Sequence, residues 1–389
     1  MNIKSIVKNF IKRFSSKYLR NVFNTRYSKN VLIVYLIESF KHSPSSDEFL
    51  FHSSRVSCYL IAQAFKECLY NVDVIGWNDI ETASKIDKKY DIVIGLGGAY
   101  SYLIENKSDL FKIKIYYSTG APAHYQNEAE KKRIDEINIK YKANLRVQRY
   151  NDENDDLLKS NDYIISLGNK YSANRYLKYT DKKIFEISPH TYLDHNFYDS
   201  NKDWSKVKNS FMFLTGKGKA LCCLDLLLEI AKENSDIHLY ICGVFDGEED
   251  FESIFYEYIY NTPNVKFIGW CAPYSKEMES VTSSCAHIIM PVVSGGANGS
   301  VLIGMTHGLI PIHSIDSGID DNVNGFIINE YTKESILKKM NEAMNMSELE
   351  FRTKSLNVHN LVYSKYTGDL YKENFINIIK NIENENSIH

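Results

Sequence analysis

The sequence predicts an α/β protein of two doubly wound domains that face each other across a cleft. Three observations predict it. Short apolar runs of strand length alternate with stretches of helical spacing along the whole chain. That grammar occurs twice, in consecutive halves of similar length. At 389 residues the chain is longer than one ordinary domain and suits two.

The first half opens with the continuous apolar run Val31–Ile37, the pattern of a strand buried on both faces of a parallel sheet. A polar loop, residues 38–51, leads to a helix with apolar residues at Val56, Leu60, Ile61, Ala64, Phe65 and Leu69. Further strands are predicted at Val72–Ile75, Tyr90–Leu96, Lys114–Tyr117, Tyr163–Leu167 and Ile184–Ile187. In the second half strands are predicted at Phe211–Leu214, Ile237–Cys242, Val265–Ile268, His287–Met290 and Leu309–Ile312, with a helix over Leu224–Ile230. Several end at glycine or proline, which punctuate the chain at strand ends. Four segments follow: a basic amphipathic extension (1–30), a first domain (31–200), a second domain (201–365) and a closing helix (366–389). In doubly wound sheets ligands sit at the carboxyl ends of the strands, so the gap between two such sheets is the expected site.

Composition bounds the function. Hydrophobic residues make up 44% and charged residues 24%, which excludes a largely disordered chain. A formal net charge of −3 gives no global basic field, so nucleic acid is not an expected partner. The seven cysteines have no CxxC spacing, which points to reduced, buried thiols in a cytoplasmic protein. No apolar run approaches the ~20 residues of a membrane span. The extension carries Ile3, Ile6, Val7, Phe10, Ile11 and Phe14 at helical spacing among basic residues. Two readings stay open for it: a helix packed on the domain, and an interfacial helix in peripheral contact with anionic lipid at the inner membrane surface.

The most informative stretch is residues 290–312. A strand ends at Pro291, a loop of glycines and small residues follows, a helix starts near Ser300, and Gly308 ends it. Glycines let backbone approach a ligand, and the free N–H groups at a helix start suit phosphate. This stretch resembles the donor-binding segment of family-four-type retaining glycosyltransferases of the GT-B fold. Ser294-Gly295-Gly296 stands at the family's loop and Gly304-Met305-Thr306-His307-Gly308 at its helix end. Residues 264–270 resemble the preceding strand, Leu224–Glu229 the helix start, and Tyr366–Phe375 the closing helix that crosses back to the first domain.

The resemblance implies two Rossmann-like domains and transfer of a sugar from a nucleotide-diphosphate donor to a glycan or lipid-linked acceptor in surface-polysaccharide synthesis. It also marks departures. The family's two glutamates fall on Gly295 and Ile303, and its diphosphate-facing lysine on Cys222. An active enzyme would then hold the diphosphate with the helix start and with Lys217 or Lys219. Ribose contacts would come from Asp316 or Asp320. A degenerate chain would keep the fold as a binding module without turnover.

The donor-binding candidates are Lys217, Lys219, Gly295, Gly296, Asn298, Gly299 and Ser300. His124, in the loop after a first-domain strand, and His52, in the first strand-to-helix loop, are the catalytic candidates. Tyr100, Tyr102 and Tyr125 are candidates for the acceptor side, since sugars stack on aromatic faces. His307 is read as structural, at a helix end that favours a cation, and His190 is given no role. Asp155-Asp156 and Asp320-Asp321 lack the strand-end context of a metal-diphosphate motif, so no cofactor and no metal are expected.

Overall fold

The computed structural model describes residues 17–191, 197–273, 275–295, 299–319 and 324–387. The first sixteen residues of the extension, Gly296, Asn298 and Asp320-Asp321 lie outside the described residues.

Two sheets form, each from one half of the chain. The first contains β1 (Tyr18–Leu19), β2 (Lys29–Tyr35), β3 (Tyr70–Gly76), β4 (Tyr90–Gly95), β5 (Phe111–Ser118), β6 (Tyr163–Leu167) and β7 (Lys183–Ile187). Their order is β1-β3-β2-β4-β5-β6-β7, parallel except for β1 against β3. The second contains β8 (Ser210–Leu214), β9 (His238–Cys242), β10 (Val265–Gly269), β11 (His287–Met290), β12 (Ile310–Ser314) and β13 (Phe326–Ile328). Its order is β10-β9-β8-β11-β12-β13, all parallel. Continuous runs such as Val31–Tyr35 and His287–Met290 are buried at every position because helices cover both faces of each sheet.

In both sheets the chain reverses direction of winding partway across. The crevice this opens lies between β2 and β4 in the first sheet and between β8 and β11 in the second. The loops at these points are Leu96-Gly97-Gly98 on one side, and Thr215–Lys219 with Pro291–Gly295 on the other. Glycine is required at their tight points. A Cβ on Gly243 would lie 2.1 Å from the Thr215 carbonyl oxygen, at φ +139°.

Six helices position the site: α1 (Ser53–Glu67), α2 (Ala123–Tyr141), α3 (Lys170–Tyr176), α4 (Leu224–Glu233), α5 (Gly299–Thr306) and α6 (Gly368–Glu385). Thr367 caps α6 by accepting the Leu370 N–H. The apolar face of α6, including Tyr371, Phe375, Ile378 and Ile382, enters the core of the first domain against α1.

Helix α2 begins in the first domain but joins the second. Ile134, Ile137 and the following Leu145 are buried in the second domain's core. Arg133 donates from Nη2 to both carboxylate oxygens of Asp225 in α4, at 2.8 and 2.6 Å. Lys140 adds a bond to Glu229 at 2.7 Å. A boundary near residues 201–208 separates the sheets, yet this helix is shared between the cores.

Candidate functional site

The site is assembled from strand ends of both domains. In the second domain, the loop after β8 is stiffened by a buried pair. Glu248 accepts the backbone N–H of Gly218 at 3.1 Å and of Lys219 at 2.8 Å. Lys219 donates from Nζ to the carbonyls of Gly216 and Val244, at 2.7 and 2.6 Å, and to Glu248 at 3.3 Å. Its side chain is 0% exposed, and burial lowers its pKa while Glu248 opposes the fall. The expected phosphate contact of Lys219 is therefore corrected: all its donors face the protein, and it braces the loop instead. Lys217 is exposed on the same loop, with its Nζ near Gly247.

The loop after β11 carries Ser294, whose Oγ is buried without a partner, and then Gly295. A Cβ on Gly295 would meet the Asp316 carbonyl oxygen at 2.7 Å. Where the family resemblance places a glutamate, this backbone leaves no room for a side chain. Helix α5 starts at Gly299, and a Cβ there would lie 3.8 Å from Ser53 Oγ at the start of α1. The tip of α5 thus opens onto the gap between the domains. Ser53, Val56, His190, Thr191, Gly299, Ser300 and Ile303 line a cleft of about 190 Å³ at this point.

Sequence reasoning gave His190 no role, and the structure places it on the lining of this cleft. It follows β7 in the connection between domains, 4% exposed, with its Nε2 2.8 Å from Ser57 Oγ. Ser57 spends its own proton on the Ser53 carbonyl at 3.0 Å, so it accepts from Nε2–H. The imidazole is then neutral, with a lone pair on Nδ1 that has no partner. Burial pushes its pKa down to about 4, which keeps it neutral. A buried polar atom without a partner calls for an explanation, and next to a cleft a bound ligand supplies one. The only sequence signal was the Pro189-His190 step at the end of a predicted strand.

The catalytic candidates lie elsewhere. His124 sits between two carboxylates, Nδ1 2.7 Å from Glu153 Oε2 and Nε2 3.0 Å from Asp155 Oδ1, and stacks on Tyr179. Both nitrogens are engaged within the first domain, and His124 does not line the cleft at α5. His52 is exposed at the start of α1, next to the cleft residue Ser53. Burial and then the Arg55 charge lower its pKa.

A larger hollow of about 650 Å³ lies at the ends of β4 and β5, lined by Trp77, Gly97, Gly98, Ser118, Gly120 and Arg149 among others. Trp77 is 42% and Tyr150, on its rim, 65% exposed. Tyr100 corrects the expectation of an acceptor role: its ring is fully buried and its hydroxyl bonds to Asn161. Tyr125 instead faces the second domain, 3.5 Å from Asp316 Oδ1, with the Arg175 guanidinium of α3 4.0 Å above its ring. Asp316 is buried and bonded to Arg175 and Tyr331, so it joins the domains rather than facing a free ribose position. His307 is buried and structural, its Nδ1 bonded to Thr282 at 3.1 Å, but the expected cation is corrected: burial pushes its pKa down to about 3, so it is neutral.

Comparison with known proteins agrees with this architecture. Residues 217–346 match the family model for glycosyl transferases group 1. No curated protein sequence matches the chain. Among solved structures, Thermosynechococcus elongatus sucrose-phosphate synthase superposes with a TM-score of 0.65 at 13% identity, over 91% of this chain and 99% of that one. Anabaena HepE, solved with UDP-glucose, gives 0.59 at 11% identity over 91% and 99%. A Rickettsia africae glycosyltransferase gives 0.58 at 12% over 92% and 99%. At these identities the match establishes the GT-B fold.

Proposed function

We propose that this chain of GT-B fold is a glycosyltransferase and transfers a sugar from a nucleotide-diphosphate donor held in the cleft between its domains. The observation that carries the reading is the tip of α5 at the cleft, where Gly299 and Ser300 share the lining with His190, whose buried Nδ1 has no partner. The first N–H groups of α5 and its positive dipole end suit the diphosphate, and Lys217 adds a cation at the neighbouring loop. These groups stabilise the leaving diphosphate electrostatically as charge develops on it. His190 offers an acceptor for a donor hydroxyl, in a place where the wrong partner would leave a buried atom unpaired. That HepE was solved with UDP-glucose supports a donor of this class.

The hollow at β4 and β5, with Trp77 and Tyr150, suits a glycan or a lipid-linked sugar as acceptor, because pyranose faces stack on aromatic rings. The reaction is proposed to retain configuration and to need no divalent metal. With no carboxylate at positions 295 or 303, retention rests on holding donor and acceptor on the same face of the sugar.

One observation favours a second reading. Both nitrogens of His124 are committed to carboxylates, which leaves the loop after β5 without a free base. A binding module without turnover would accommodate this. Incubation with a panel of nucleotide sugars separates the two. The transferase releases nucleotide from one donor, and Gly299→Glu, which puts negative charge where phosphate belongs, abolishes the release. A module binds a donor and releases nothing.

A further inference from the structure

The second domain brings fewer cations to its strand ends than its sequence suggests. Lys219 is spent inside the protein, and Lys217 stands near the carboxylate of Glu249. A positive charge reaches the same loop from the other half of the chain. A Cβ on Gly218 would lie 3.2 Å from Cδ and 3.5 Å from Nη1 of Arg149. Arg149 also lies close enough to the buried Cys222 thiol to act on it electrostatically, and the residue is exposed.

The arm that carries Arg149 is built rather than incidental. Glu130, buried on α2, accepts the backbone N–H groups of Gln148 and Arg149 at 2.8 and 2.9 Å. Gln126 donates to the Arg149 carbonyl at 3.0 Å. Asn127 brackets Asn151, accepting its N–H at 2.9 Å and donating to its carbonyl at 2.7 Å. At the root of the arm, Leu145 is buried in the second domain's core. Three buried polar side chains are thus committed to placing an exposed loop, and burying them is costly without such partners. The loop they reach is tied to the α5 loop, because Val293 N–H donates to the Leu221 carbonyl at 3.0 Å.

We infer that Arg149 is a ligand of the donor diphosphate, reaching from the first domain to the Gly216-Lys217-Gly218 loop. The inference rests on the donor site proposed above. A guanidinium offers two parallel N–H donors to phosphate oxygens, which a lysine does not. It makes the shared helix α2 part of the binding site, since that helix fixes where the arm stands relative to the second domain.

Calorimetric titration of the full chain with UDP, GDP and ADP, each beside its nucleoside, tests this. For the nucleotide that binds, Arg149→Ala is expected to weaken the diphosphate about tenfold, or ~1.4 kcal/mol, and to leave the nucleoside unchanged. Arg149→Lys should recover part of the loss, and the melting midpoint without ligand should not move. Should Arg149→Ala fail to fold, the same comparison is made with Arg149→Lys, which must still weaken the diphosphate selectively. Equal loss for nucleoside and diphosphate, or unchanged diphosphate affinity in a variant set where Gly299→Glu abolishes binding, overturns the role of Arg149 and leaves the donor site standing. If the unaltered chain binds none of the three diphosphates, the proposed function falls first.

Discussion

At the scale of single residues, the proposed donor site offers backbone and an unfilled hydrogen bond where the family resemblance places acids. Gly295 shows why. Its hydrogen atoms are the only substituents that fit beside the Asp316 carbonyl, so the position holds no carboxylate without backbone movement. Gly295→Glu, which would recreate the acid that related donor loops carry, is expected to cost about 1–3 kcal/mol of stability by overpacking. Activity should not rise. Urea unfolding of the variant beside the unaltered protein checks the cost, and a variant of equal stability with higher turnover would contradict it.

How much of the site was legible also shows at this scale. That Gly299 and Ser300 begin a helix was readable, because glycines between an apolar strand and a helical stretch have a physical meaning in sequence, and the structure sets both on the cleft. Lys219 was misread because sequence places it beside an expected phosphate but does not show that the Gly216 and Val244 carbonyls, with Glu248, take its donors. His190 and Arg149 gave no usable pattern. One is a lone histidine in a connection, and the other lies in a polar stretch whose order comes from Gln126, Asn127 and Glu130.

At the scale of elements, the strands were the readable part, since runs buried on both faces leave a continuous apolar signature. The two that sequence missed, β1 and β13, are two and three residues long. The double allegiance of α2 was not readable, because its apolar positions say that a face is buried and not against which domain. The buried Arg133–Asp225 pair fixes that choice. Burial pushes the Asp225 carboxyl up and Arg133 opposes the shift. Removing one partner leaves an uncompensated charge, so Asp225→Ala is expected to cost about 3–5 kcal/mol. Replacing both with apolar residues, Arg133→Met with Asp225→Leu, should restore most of it, and denaturant titration of the single and double variants reads the difference. Equal loss in both would show that the pair supplies net attraction.

At the scale of the whole molecule, three of the buried histidines shape the response to acid most strongly. Burial pushes His190 down to about 4, and His287 and His307 to about 3, from an ordinary 6.5. As pH falls through 6.5 the unfolded chain takes up protons that the folded chain refuses, so stability is lost below 6.5. Above it the histidines are neutral in both states and contribute no slope. Each adds about 1.4 kcal/mol of lost stability per pH unit until its folded value is reached. Between pH 7 and 5.5, above most carboxylate titration, the urea midpoint should therefore fall. His287→Phe, whose ring would keep the stacking on Phe211, should flatten that slope. A midpoint constant over this range would show that the histidines take up protons in the folded chain as readily as in the unfolded one.

The same scale holds the central claim, that two half-sites meet on one nucleotide sugar. The sheets reverse winding at crevices on each side of the gap, and α5, α1 and the His190 connection close on one cleft. The most direct measurement is release of nucleotide from UDP-, GDP-, ADP- and CMP-sugars by the full chain, in the presence of EDTA, beside Gly299→Glu. One donor should be turned over by the unaltered protein and none by the variant. Turnover that persists in Gly299→Glu would contradict the account, because the helix tip facing the cleft would then have no part in holding the donor.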